Sequence, residues 1–188
     1  DVCSSDLTLV QLREKTASSL RFYQMAMRIK KVTDARHVPL IVNDRVDIAM
    51  AADAAGVHVG QSDLPAKAVR TLIGPEKILG VSVSSREEAV RAQQDGADYI
   101  GVGAMFATDT KTDAGLVPMS ELKRIRAAVH LPIVVIGGIH AGTVPLFYKT
   151  GIDGIAVVSA LMASDDITGE ARRLKRLSSA LHTLPSTP

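Results

Sequence analysis

Polar residues suited to phosphate and metal chemistry recur in this chain directly after short apolar runs. Gln11, Arg13 and Lys15 stand in QLREK, Asn43 and Asp44 close LIVND, Gln61 and Asp63 lie in GQSD, Ser82 ends ILGVS, and FATDTK supplies Thr108, Thr110 and Lys111. Two lone carboxylates, Asp44 and Asp63, among the cations Arg13, Lys15 and Lys111 make the set that a magnesium-bound diphosphate requires. Mg2+ takes one or two carboxylates plus phosphate oxygens, and the cations offset the remaining charge. Gly137-Gly138 and Val158-Ser159 form late turns whose backbone N–H groups suit a phosphate. No Cys or Ser has an adjacent His to act as base, so stabilisation of a leaving group fits better than a covalent nucleophile.

Each residue also has a plainer reading. Asp44 and Asp63 precede the helical patterns VDIAM and LPAKAV, so either could be a helix N-cap. Arg13 and Lys15 taken singly would be solvated charge. His58, between Val57 and Val59, reads as a satisfied core imidazole, because no second His stands at metal-site spacing. His37, His130, His140 and His182 are expected at the surface, and Met25, Met27 and Met50 in the core.

The elements that must position these residues follow from alternation of Val/Ile-rich runs with amphipathic stretches, the pattern of βα units around a parallel sheet. Seven strands are expected: 8–12, 39–43, 56–60, 78–82, 98–102, 132–136 and 154–158, mostly spaced by about 20 residues, one compact βα repeat. Ser85 with Glu88 reads as a capping box, and Ser120 as the cap of a helix burying Leu122, Ile125 and Val129. In the last helix Ile167, Ala171, Leu174, Leu177 and Leu181 form an apolar stripe, with Arg172, Arg173, Lys175 and Arg176 on the wet side.

A doubly wound sheet would tolerate seven strands, but no GxGxxG opens a first helix. Phosphate-type loops late in the chain favour a barrel, whose phosphate cup forms after strands seven and eight. The expectation is therefore an α/β fold: a (β/α)8 TIM barrel lacking its first strand and helix, as one domain over residues 1–188.

With 188 residues, 22 Lys+Arg against 20 Asp+Glu and a net charge of +2, the composition is that of an ordinary globular chain. No apolar run approaches the about 18 residues of a membrane span, and aromatics scattered without basic clustering give no nucleic-acid platform. Cys3 is the single cysteine, so no internal disulfide forms. The opening DVCSSDL has neither a basic nor an apolar signal region. It matches the in-frame translation of a common sequencing adapter, so residues 1–7 are expected to be non-native or disordered.

QLREK, LIVNDRVDIA, GVHVGQSD, GVS, TDTKTDAG, GGI and VVSA, in this order, closely resemble the thiamine phosphate synthases. The resemblance implies a (β/α)8 barrel that joins hydroxymethylpyrimidine diphosphate to thiazole phosphate, releasing pyrophosphate. It implies that Gln11, Leu12, Arg13, Glu14, Lys15, Asn43, Ser82 and Lys111 hold the pyrimidine diphosphate, with Arg13, Lys111 and Ser82 the catalytic residues. Asp44 and Asp63 would bind Mg2+. Thr108, Asp109, Thr110, Gly137, Gly138, Val158 and Ser159 would take the thiazole phosphate. The segment from Gly103 to Pro118 reads as a lid over the site. The partners are then small-molecule substrates rather than nucleic acid or membrane, the location is cytoplasmic, and a homo-oligomer is compatible with the class. Two rival readings are a thiazole tautomerase-like paralogue and an inactive phosphate-binding fragment. Family members begin with a strand and helix absent here, and losing one stave would leave two unpaired edges.

Overall fold

All seven expected strands form, most of them shorter than the apolar run that announced them. The computed structural model describes residues 7–107 and 115–183. Its strands are β1 (Val10–Leu12), β2 (Leu40–Asn43), β3 (Gly56–Val59), β4 (Ile78–Val83), β5 (Tyr99–Val102), β6 (Ile133–Val135) and β7 (Gly154–Ile155). They pair in parallel and in sequence order, β1 to β7. Between them lie α1 (Ser19–Asp34), α2 (Val46–Ala51), α3 (Ala66–Ile73), α4 (Arg86–Gln94) and α5 (Met119–Ala128). A 3₁₀ turn (Val144–Phe147) stands between β6 and β7, and α6 (Ser159–Met162) and α7 (Ile167–Thr183) follow β7.

Strand alternation divides the side chains between two faces. Leu40, Val42, Val57, Val59, Leu79, Val81, Ile100, Val102, Ile133 and Val135 join Phe22, Val69, Leu122 and Ile125 of the helices in one buried core. Burying each of these large side chains stabilises the fold by about 1.5–3 kcal/mol. The alternate positions, among them Asn43, His58, Gly80, Ser82, Tyr99 and Gly101, turn to the other face. That face is closed on itself. The Tyr99 hydroxyl on β5 bonds the Gln11 side chain on β1, although four strand spacings of a flat sheet would separate them by about 19 Å. The sheet is therefore a curled, partial barrel. Among the described residues β1 pairs only with β2 and β7 only with β6, so a closed eight-stranded barrel is not formed here.

The amino ends of the strands are fastened by two matching clamps. Asp98, just before β5, accepts from Leu79 N at 2.7 Å and from the Arg70 guanidinium at 2.5 Å, and Arg70 also donates to Gly96 O. Asp153, just before β7, accepts from Ile133 N at 2.8 Å and from Arg126 at 3.2 Å, and Arg126 also donates to Gly151 O. Each carboxylate thus ties two strands and one helix.

Three local expectations need correction. Ser120 is not a cap: α5 begins at Met119 after Pro118, whose extended backbone already starts the helix. The α5 face is nevertheless as expected, with Leu122, Ile125 and Val129 buried. Ser85 caps α4 by accepting from Glu88 N, but the Glu88 carboxylate returns to Ser84 N at 2.6 Å rather than to Ser85. Met27 and Met50 are exposed, because each lies on the wet side of its helix. The last helix behaves as expected, with Ala171 and Leu174 buried and its basic residues in solvent.

Candidate active site

At the carboxyl ends of β1, β2 and β3 three charged side chains converge. Lys15 follows β1 and is ion-paired to Asp44, the first residue after β2. Asp44 takes a left-handed backbone, φ 63°, which a short polar residue tolerates, and its N–H donates to His58 O on β3 at 2.8 Å. This turn aims the carboxylate back across the strand ends. Asp63 lies in the loop after β3, where its Oδ2 accepts from Gly60 N at 2.7 Å. Neither aspartate is a helix cap. Arg45 is the N-cap of α2 and Pro65 of α3, and neither contributes a side-chain cap bond.

The two carboxylates are also neighbours of one another. Burial pushes the Asp63 carboxyl above the ordinary carboxylate value, and contact with Asp44 pushes it further, while Gly60 N–H and Lys15 pull it down. Two neighbouring acids, with the Lys15 ammonium paired to Asp44, form a site that favours added positive charge. Among the described residues no three His, Cys, Asp or Glu side chains gather around a metal position. A pair of carboxylates open to further oxygens is nonetheless the donor set Mg2+ accepts when the substrate supplies the rest.

Beneath this cluster runs a hydrogen-bonded chain. His58 Nδ1 lies 2.9 Å from Tyr99 Oη, and His58 Nε2 lies 2.8 Å from Ser82 Oγ. Gln61 spans the rim above, donating from Nε2 to Ser82 O at 2.7 Å. Room for the two rings comes from glycine. A Cβ on Gly80 would collide with the Tyr99 ring and His58 Nδ1, and one on Gly101 would stand 3.1 Å from His58 Cε1.

On the far side of the mouth, the loops after β6 and β7 lie side by side, because Val135 pairs with Ile155. Gly137 and Gly138 have φ of 93° and 65°. A Cβ at Gly138 would meet Phe106 Cβ at 2.7 Å, so both conformation and space demand glycine. Thr143 Oγ1 accepts from His140 N at 2.9 Å and pins the turn. Val158 and Ser159 stand at the head of α6 and are exposed.

Residues 1–161 match the family described as Thiamine monophosphate synthase. The chain is 60% identical over 168 residues to the thiamine-phosphate synthase of Clostridium beijerinckii, covering 89% of this chain and 80% of that protein. It is 54% identical over 156 residues to the thiamine-phosphate synthase of Methanobrevibacter smithii, covering 83% and 75%. The chain belongs to the thiamine monophosphate synthase family. Among solved structures, the thiamine phosphate pyrophosphorylase from Pyrococcus furiosus superposes with a TM-score of 0.88 at 36% identity, over 96% of this chain and 87% of that one. A 3-hexulose-6-phosphate synthase, at 17% identity and a TM-score of 0.70 over 93% and 89%, shares the fold.

The family motifs divide unevenly on this framework. Gln11, Arg13, Lys15, Asn43, Asp44, Asp63 and Ser82 gather at or just below the ends of β1 to β4. Leu12 does not present its side chain there, since alternation turns it into the core beside the helices. Glu14 turns inward on its own loop: its carboxylate accepts from Thr16 N at 2.7 Å and Ala17 N at 3.1 Å, which hold its pKa below the usual value. Gly137, Gly138, Val158 and Ser159 form the opposite rim. Thr108, Asp109, Thr110 and Lys111, the centre of the expected lid and residues 1–6 lie outside the described residues. Tyr99 escaped the motif reading. The one sequence signal for it was a phenol opposite a glycine on the sheet's polar face.

Proposed function

We propose that this chain joins hydroxymethylpyrimidine diphosphate to thiazole phosphate, giving thiamine phosphate and pyrophosphate, as a cytoplasmic enzyme. The observation that carries the reading is the neighbouring pair Asp44 and Asp63, with Lys15 ion-paired to Asp44, at three adjacent strand ends. A diphosphate brings the charge such a site can hold only with a divalent cation. Asp44 and Asp63 would hold Mg2+, which when bound neutralises charge gathering on the departing diphosphate.

The chain's own residues do the rest. Lys15 and Arg13, with Lys111, pair with diphosphate oxygens and favour the state in which the methylene–oxygen bond has broken. Asn43, buried at 7% exposure on the end of β2, and Gln11 face the ring that carries that methylene. Backbone N–H groups at Gly137-Gly138 and Val158-Ser159, with Thr108, Asp109 and Thr110, hold the second substrate by its phosphate. The thiazole nitrogen then closes the new carbon–nitrogen bond. That nitrogen carries no proton, so the step needs no general base, and the Ser82–His58 hydrogen bond is not called on to act as one. We read the seven strands as staves of a (β/α)8 barrel, a single domain whose carboxyl rim carries the site.

The test is incubation of the chain with Mg2+ and both substrates, with mass-spectrometric detection of products. Thiamine phosphate together with pyrophosphate is expected. A rearranged thiazole phosphate with the pyrimidine diphosphate left intact would replace this reading with tautomerisation.

A further inference from the structure

The four-residue chain under the mouth begins at Gln11 on β1, passes through Tyr99 on β5 and His58 on β3, and ends at Ser82 near the carboxyl end of β4. A phenol here is expensive in space, since Gly80 must carry no side chain to admit it. A phenylalanine would fill the same volume. The hydroxyl therefore serves its partners, and a hydroxyl has one hydrogen to give.

That single hydrogen sets the direction of the whole chain. A neutral imidazole donates from one nitrogen and accepts at the other. If Tyr99 donates to Nδ1, the His58 hydrogen sits on Nε2 and is given to Ser82 Oγ. The Ser82 hydroxyl hydrogen is then left for a group above it. In the opposite direction Ser82 would spend its hydrogen on Nε2, and Tyr99 would donate to Gln11, leaving only lone pairs toward the mouth. An anionic diphosphate selects the first direction, because it can only accept. Burial pushes the Tyr99 hydroxyl up to about 12, so it keeps the hydrogen it has to give.

We infer that Tyr99 is a positioning residue: its hydroxyl, given to His58 Nδ1, fixes the Nε2–H tautomer and so makes Ser82 a hydrogen-bond donor toward the strand-end site. Both the tautomer and its catalytic consequence rest on the function proposed above, because it is the bound diphosphate that selects the direction.

Tyr99→Phe keeps the ring against Gly80 and deletes only the donor. In long-range 1H–15N spectra of the chain saturated with Mg2+ and inorganic pyrophosphate, His58, assigned through its own backbone, is expected to carry its hydrogen on Nε2. In Tyr99→Phe it is expected to move toward the Nδ1–H form. Turnover should fall about tenfold in kcat, the scale of one neutral hydrogen bond, with KM unchanged. In a Ser82→Ala background the same substitution should cost nothing further, because the two residues act as a unit. The proposal is overturned by hydrogen on Nδ1 in the unsubstituted chain, which needs no variant to fold, or by losses from Tyr99→Phe and Ser82→Ala that simply multiply. Were the chain to make no thiamine phosphate at all, the functional reading would fall while the spectra still decided the tautomer.

Discussion

The two ends of the sheet carry the same chemical ingredients and use them in opposite ways. At the amino ends, Asp98 and Asp153 each meet a backbone N–H and an arginine, so every carboxylate has a full set of partners. At the carboxyl ends, Asp44 and Asp63 are set against one another, with Lys15 paired to Asp44. A satisfied carboxylate holds a fold together. A carboxylate kept next to its like leaves free energy that a cation can recover, and the proposed function rests on that difference between the two ends.

The comparison breaks most visibly at Asp63. Asp63→Ala is expected to lower kcat by about a hundredfold or more, the scale of losing one preorganised electrostatic contact. Its thermal midpoint should not fall at neutral pH, because relief of the buried charge beside Asp44 offsets the lost bond from Gly60 N. Asp98→Ala should do the reverse, leaving Leu79 N–H without its carboxylate and costing about 1–3 kcal/mol by denaturant titration while kcat stays near its starting value. An Asp98 variant that lost activity without losing stability would erase the distinction between the ends.

A pH series sharpens the same contrast. Because the folded state raises the Asp63 pKa, the folded chain releases that proton later than the unfolded chain does. Stability from this group is full below the ordinary value of 3.8 and is lost as pH rises through the raised one. Asp63→Asn should therefore melt higher than the parent chain at neutral pH, with the gap closing as pH is lowered toward 3.8. Thermal melts at stepped pH in chelator check the sign, and added Mg2+ should narrow the neutral-pH gap. The smallest effect is expected at Glu14, whose carboxylate serves its own turn. Glu14→Gln should leave kcat in place and raise KM for the diphosphate slightly, as read from steady-state rates.

The strands were legible because buried parallel strands write themselves as apolar runs between Gly, Pro and Asp, and all seven were found where those runs stood. The strand-end residues were legible for the same reason, as the first polar groups after each run. What local pattern could not carry was partnership. An aspartate ahead of a helical stretch looks like a cap, and only the fold brings Lys15 to Asp44 across 29 positions. His58 was rightly read as a satisfied imidazole, yet its partners lie 41 and 24 residues away, on β5 and β4. Ser120 misled because Pro118 had already started its helix. The amino-end clamps did leave a trace, since the aspartates of GAD before β5 and GID before β7 follow an arginine by 28 and 27 positions. Their meaning appears only when the arginine reaches both the glycine carbonyl and the aspartate.

The central claim is that Asp44 and Asp63 work as a pair on a cation that helps the diphosphate leave. Pyrophosphate release followed across a Mg2+ titration, in the parent chain and in Asp63→Asn with both substrates present, tests it most directly. The expected result is saturable, chelator-sensitive release in the parent and a titration in Asp63→Asn shifted to far higher Mg2+ with a depressed plateau. Release that proceeds equally in chelator, or that follows the same Mg2+ curve in both proteins, would contradict it.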